Sequence, residues 1–215
     1  MMINPSMTIN GNLTYRGSQG QFLNGASSYT YTNAPIGTAS SDRYVYVVTW
    51  FREDGGGINL SCTIGGVSAT KIIGDITDSL GFSKGAIFAL NVPAGTTSTV
   101  IVSAGIATNE QMMAVYTGTG LNKPLNPLNT YSVNTASVPL SLNISSPPQG
   151  FFLGGMGTSD SITTFTVSNA KKDYTVQGVS STLTGASTMN TGPYTVTITP
   201  ATSQNRQAFF GITLR

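Results

Sequence analysis

Arg43-Tyr44-Val45-Tyr46-Val47-Val48-Thr49-Trp50-Phe51 is the stretch that decides the fold class. Its side chains alternate: Tyr44, Tyr46 and Val48 face one way and Val45, Val47 and Thr49 the other. Both sets are apolar or aromatic, which a half-solvated strand would not tolerate, so the spacing predicts a central strand covered on both sides. Working outward, the same period-two pattern recurs every 8 to 15 residues, punctuated by Gly, Pro, Asn and Ser. No window carries apolar residues at helical spacing for three turns.

Downstream, Leu60–Ile64 and Val67–Ile73 read as strands joined by Gly65-Gly66, two residues that can both take the positive φ of a tight hairpin turn. Ala86–Val92 and Thr99–Ser103 follow, linked through Pro93-Ala94-Gly95. Met112–Tyr116 is next, and residues 121–137, with Pro124 and Pro127, read as a long loop. Strands resume at Val138–Ile144, with Leu140, Leu142 and Ile144 on one face. Gly150–Gly157 is too rich in glycine for a helix and suits a strand that another backbone approaches closely. Ser161–Ser168, Asp173–Val176, Tyr194–Thr199 and Gln207–Leu214 complete the set.

About twelve short antiparallel strands at this spacing predict an all-β chain, a β-sandwich or jelly-roll-like fold. Residues 1–37 are polar and weakly patterned, and are expected to form an extended arm and one edge strand. Residues 38–215 are expected to form the sandwich as a single domain, with a division into two halves near residues 120–137 as the alternative organisation.

Charge is the compositional anomaly. Only 8% of the 215 residues are charged, against roughly 25% in an average soluble protein. A net charge of +2 lends little solubility, so the surface must be made of hydroxyls and amides or be covered by other subunits. The ten Lys and Arg are scattered, with only Lys171-Lys172 adjacent, and this does not make the cationic groove that nucleic acid requires. No run approaches the roughly 18 apolar residues of a membrane helix. Met1–Ser6 lacks the cationic and apolar regions of a secretory signal, and release by cell lysis would suffice to take the protein outside a cell.

Chemistry is equally scarce. The chain has no histidine, which removes the Ser–His–Asp and Cys–His nucleophilic schemes and the commonest zinc and iron ligation. Cys62, the single cysteine, alternates with polar neighbours on a strand and reads as a small buried apolar residue. The carboxylates Asp75 and Asp78, and the adjacent Glu53 and Asp54, could in principle cleave glycosides or hold calcium. All lie in predicted turns, where Asp commonly bonds its own backbone. Asp160 and Asp173 stand apart. The glycine pairs lack the lysine and following helix of a phosphate loop. Trp50 and the tyrosines could build a sugar-stacking platform, but the apolar strand around Trp50 argues for the core. No catalytic, cofactor-binding or metal-binding residues are assigned, and the chain is read as non-enzymatic.

Between residues 36 and 116 the chain resembles a group of tailed-bacteriophage and prophage virion proteins. The resemblance rests on Ile36-Gly37-Thr38-Ala39-Ser40-Ser41-Asp42-Arg43 leading into the apolar strand, and on Thr63-Ile64-Gly65-Gly66-Val67-Ser68-Ala69-Thr70. It continues through Gly85-Ala86-Ile87-Phe88-Ala89-Leu90 and Val92-Pro93-Ala94-Gly95-Thr96-Thr97. These motifs cover about 80 of the 215 residues and specify hairpins and turns, not chemistry. The resemblance implies a small β-sandwich module on phage heads or tails, located in the virion and assembled in the host cytoplasm.

Together these features predict a structural protein of the virion, first of all a capsid decoration or cement protein that stabilises the head shell. Its expected partners are the major capsid protein or other virion proteins and further copies of itself, a trimer being favoured, with no nucleic acid and no membrane. The alternative is a tail or fibre module that binds host surface glycans, which predicts an exposed Trp50 or a tyrosine cluster beside Asn and Asp groups. An enzyme such as a glycan depolymerase would need two carboxylates about 5–10 Å apart in one cleft.

Overall fold

The computed structural model describes residues 11–22, 25–52, 57–136, 139–145, 150–160, 164–190, 193–202 and 206–215. Seventeen strands fall within them: β1 (Asn12–Gln21), β2 (Ala26–Pro35), β3 (Tyr44–Arg52), β4 (Ser61–Ile64), β5 (Val67–Ser68), β6 (Thr70–Thr77), β7 (Lys84–Asn91), β8 (Thr97–Thr108), β9 (Glu110–Thr119), β10 (Asn129–Asn134), β11 (Leu140–Ile144), β12 (Gly150–Thr158), β13 (Phe165–Ser168), β14 (Lys171–Gln177), β15 (Thr182–Asn190), β16 (Tyr194–Pro200) and β17 (Gln207–Leu214). The fold is all-β and antiparallel, as the alternation predicts.

The strands form four sheets, and the chain changes sandwich between Thr119 and Asn129. The first sandwich has an outer sheet β2-β8-β4-β5 and an inner sheet β1-β9-β3-β7-β6. The second has an inner sheet β10-β17-β12-β15-β14 and an outer sheet β11-β16-β13. Three apolar layers fill the spaces between the four sheets. Val45, Val47 and Phe51 of β3 pack with Val100 and Val102 of β8 inside the first sandwich. Leu140, Leu142 and Ile144 pack with Phe152 and Phe209 inside the second. The middle layer joins the two inner sheets, bringing Tyr46, Val48 and Trp50 against Leu153, Leu183, Phe210 and Ile212. This explains the two apolar faces of the Tyr44–Phe51 stretch: each faces a different layer. Each large apolar side chain removed from water here contributes on the order of 1.5–3 kcal/mol.

Glycine placement follows from the aromatic content of the middle layer. A Cβ on Gly157 would lie 1.9 Å from the Trp50 ring, and one on Gly85 would lie 2.4 Å from the Phe210 ring. Gly155 and Gly157 thus make room for Val48 and Trp50 of the facing sheet, while a Cβ on Gly154 would lie 2.8 Å from the Phe210 carbonyl, the close backbone approach the sequence suggests. The Gly65-Gly66 hairpin is as expected, with φ of 60° and 80° and Ile64 paired to Val67.

Three elements differ from the expectation. The segment assigned an arm and one edge strand carries two strands, β1 paired to β9 and β2 paired to β8; the arm's first ten residues lie outside the described residues. The supposed long loop at 121–137 contains β10, which pairs with β17. Strand β15 pairs on both sides, with β12 and β14, although its sequence shows little strand character.

Arg43 gives the motifs at 36–43 and 92–97 a physical basis. Its side chain is buried, and it donates from Nε to Val92 O (2.8 Å), from one terminal nitrogen to Gly37 O and Thr38 O (2.7 Å each), and from the other to Ala94 O (2.7 Å). Ile36 N also donates to Thr96 O. The motifs at 36–43 and 92–97 are therefore the two sides of one stitched corner.

Candidate functional site

The residues singled out from sequence are mostly used inside the fold. Trp50 is fully buried and stacks on Phe210 at 6.3 Å, so it offers no platform to a sugar. Cys62 is 4% exposed, and burial pushes its thiol up to about 12, far from a nucleophile's range. Asp78 holds its own turn, accepting from the backbone N–H groups of Leu80 (3.0 Å), Phe82 (3.1 Å) and Ser83 (3.1 Å). Its carboxylate also meets Arg206 Nε at 3.1 Å. Asp75 takes positive φ at a bulge of β6 and pairs with Lys71 at 3.2 Å on the surface. Glu53 and Asp54 lie outside the described residues. Asp160 is exposed and accepts bonds through its backbone carbonyl. Among the described residues no three or more Cys, Asp or Glu side chains are grouped as a metal site.

What the structure does bring together lies along β1. There the edge of the first inner sheet meets the edge strand β14 of the second, leaving a groove of about 510 Å³. Leu13 and Tyr15 of β1 form one wall, and Phe151 of β12 and the 65% exposed Met189 of β15 form another. Asp173 and Lys171 add the charge, with nitrogen and oxygen 3.6 Å apart.

Beneath the groove, three tyrosines fix its floor. Tyr15 stacks on Tyr174 (centroids 5.4 Å, planes at 18°) and meets Tyr116 edge-on at 5.4 Å. Tyr116 donates its hydroxyl to Asp173 Oδ2 at 2.9 Å. Burial, reinforced by neighbouring Tyr and Asp groups, raises the hydroxyls of Tyr116 and Tyr174 well above the ordinary tyrosine range, so both stay protonated. Tyr15 is half-buried, with its ring against this pair and its hydroxyl 2.8 Å from Ser18. The arrangement can offer a ring face, apolar contact and one fixed carboxylate to a ligand.

On the other flank of β1 lies a polar groove of about 440 Å³, lined by Asn12, Thr14, Arg16, Asp42 and Thr117 among others. Arg16 Nε donates to Thr117 Oγ1 at 2.7 Å. Asp42 accepts from the Ser40 hydroxyl and from Gly120 N, bonds that hold its carboxyl below the usual carboxylate range.

Sequence reasoning missed both grooves because they are built on β1, in the segment with the weakest pattern. The signal present was the alternation Leu13, Tyr15 against Asn12, Thr14, Arg16.

No protein-family model matches the sequence, and no curated protein does. The chain is similar to a solved structure described as an anti-sigma factor domain-containing protein, at 7% identity over 87% of this chain and 77% of the other, with a TM-score of 0.25. A likeness at that score carries no argument.

Proposed function

We propose that this chain is a structural protein of a bacteriophage particle that decorates the capsid shell and stabilises it. The observation that carries the proposal is how the few reactive side chains are used. Asp78, Cys62 and Trp50 serve the fold, leaving a surface dominated by hydroxyls, amides and backbone on a chain with 8% charged residues. A surface so poor in charge is suited to being covered by neighbours. Strand β10 adds to this: it is an edge strand, mostly exposed, and its six residues NTYSVN carry no charge to block pairing. By contrast the edge strand β14 carries Lys171 and Lys172, a common protection against pairing. Decoration would bury β10 and similar edges against the major capsid protein or against further copies in a closed trimer.

The test is to incubate the purified chain with capsids stripped of accessory proteins and then heat them. Stoichiometric binding with a raised temperature of capsid rupture is expected. Absence of binding together with unchanged rupture would overturn the proposal.

A second reading, a tail or fibre module binding host glycans, is favoured by one observation: the groove beside Tyr15, with Asn12 at its rim and Asp173 in its wall. Of the exposed aromatic groups that reading expects, the half-buried Tyr15 borders the groove, whereas Tyr116, Tyr174 and Trp50 are buried. A glycan array probed with the full chain tests it, and silence across host polysaccharides would count against it.

A further inference from the structure

We propose that the two grooves flanking β1 form one binding site for an acidic saccharide, in which Arg16 pairs with the sugar carboxylate. For its class of ligand the inference rests on the glycan-binding reading. The side chains of β1 divide between its two flanks: Leu13 and Tyr15 line the apolar groove, and Arg16, at the register shift between Tyr15 and Gly17, lines the polar one. Asn12 and Thr14 border both, so the surface is continuous across the strand.

The polar groove holds a net positive charge, Arg16 and Arg43 against the single carboxylate Asp42. Arg43 is 1% exposed and bonds only to carbonyl oxygens, and among the described residues no carboxylate lies within ion-pair distance of it or of Arg16. The two guanidiniums sense each other: burial lowers the Arg43 pKa first and the charge of Arg16 lowers it further. Asp42, the carboxylate nearby, is turned to Ser40 and Gly120. Arg16 is fixed through Nε by Thr117, while its two terminal nitrogens donate to no acceptor among the described residues. That is a planar, oriented fork, the geometry that takes a carboxylate through two parallel bonds.

The remaining lining selects the kind of acid. Thr14, Thr38, Thr119 and Asn12 supply hydroxyls and an amide, groups that both donate to and accept from sugar hydroxyls. Across the strand, Tyr15 and Leu13 provide the apolar face on which a pyranose ring can rest.

The experiment is a calorimetric titration of the full chain with oligogalacturonate, with the uncharged oligogalactoside of the same length and with oligo-aspartate. Oligogalacturonate is expected to bind at least about tenfold more tightly than the other two. Arg16→Gln should remove that advantage. Thr38→Glu, at an exposed position of the same groove, should have the same effect through a competing carboxylate, and it covers the case in which Arg16→Gln fails to fold. Equal binding of the acidic and neutral sugars would overturn the acid recognition and leave the glycan reading standing. Equal binding of oligo-aspartate would make this an unselective anion patch and overturn the inference. No binding of either sugar would overturn both the inference and the glycan reading.

Discussion

Arg206 Nε donates to Asp78 Oδ2 across 3.1 Å, tying the start of β17 in the second sandwich to the turn between β6 and β7 in the first. The Asp78 side chain is fully buried and that of Arg206 is 18% exposed, with its guanidinium 5.1 Å from the centre of the Phe82 ring. Ser83 and Ser159 add a hydroxyl pair at 2.6 Å across the same boundary. At this end of the middle layer Glu110 also crosses it, accepting from Ser180 N (2.8 Å) and from the Ser181 hydroxyl. The apolar middle layer is therefore closed at one end by a polar clasp, which restricts how the two inner sheets can slide over each other.

Removing one partner of a buried pair leaves the other charge uncompensated, a larger loss than the net worth of the pair. Asp78→Ala also strips three backbone N–H groups of their acceptor. The variant is expected to lose about 3–5 kcal/mol in urea denaturation. A loss under ~1 kcal/mol would contradict the clasp, being the size expected of an exposed pair.

The same carboxylate sets an acid limit. Burial alone would raise its pKa, but the N–H groups of Ser83 and Phe82 and the Arg206 guanidinium outweigh burial and hold it below 3.8. A depressed folded-state pKa contributes stability that is present above the unfolded value and is lost as pH falls through the folded one. Stability should therefore be flat through neutral pH and decline below about pH 4. In Asp78→Asn, less stable throughout, this part of the decline should be missing from a pH series of thermal midpoints.

Gly157→Ala places a methyl group inside the Trp50 ring position, 1.9 Å from its nearest atom. The inner sheets must move apart to admit it, at an expected cost of about 1–3 kcal/mol or more. Gly66→Ala meets nothing within 4 Å but must take φ of 80°, so only the backbone term remains, about 1–2 kcal/mol. Thermal unfolding of the two variants, with Trp50 fluorescence as the probe, distinguishes them: only Gly157→Ala should alter the emission of the folded state.

Cys62 should behave as a core residue. With the thiol buried and its pKa pushed up to about 12, no reaction with a maleimide is expected at pH 8 in the native state. Full labelling is expected once urea unfolds the chain. Rapid native-state labelling would show that β4 opens readily.

The legible parts of the fold are those where local chemistry and burial agree. Tyr44–Phe51 announced a doubly covered strand because both of its faces are apolar, and Leu140, Leu142 and Ile144 announced a singly covered one. Strand β15 was silent: in Thr182-Leu183-Thr184-Gly185-Ala186 only Leu183 is a large apolar residue, yet all five residues are buried. They sit there because both neighbours of the strand pair with it and the missing side chain of Gly185 leaves space for the Tyr174 ring. The turn-forming role of Asp78 could be read locally, but its partner Arg206 is far along the chain and no local pattern links them. The grooves were hidden for the same reason, since Tyr15 and Asp173 converge only when the edges of two sheets meet.

The central proposal is a place on the capsid shell, and gold-labelled antibody against the purified chain, applied to intact phage particles and viewed by electron microscopy, tests it most directly. Labelling distributed over the head is the result the decoration role requires. Labelling confined to the tail would transfer the chain to the glycan-binding reading, and particles left bare, with the chain absent from their protein content, would contradict a virion role altogether.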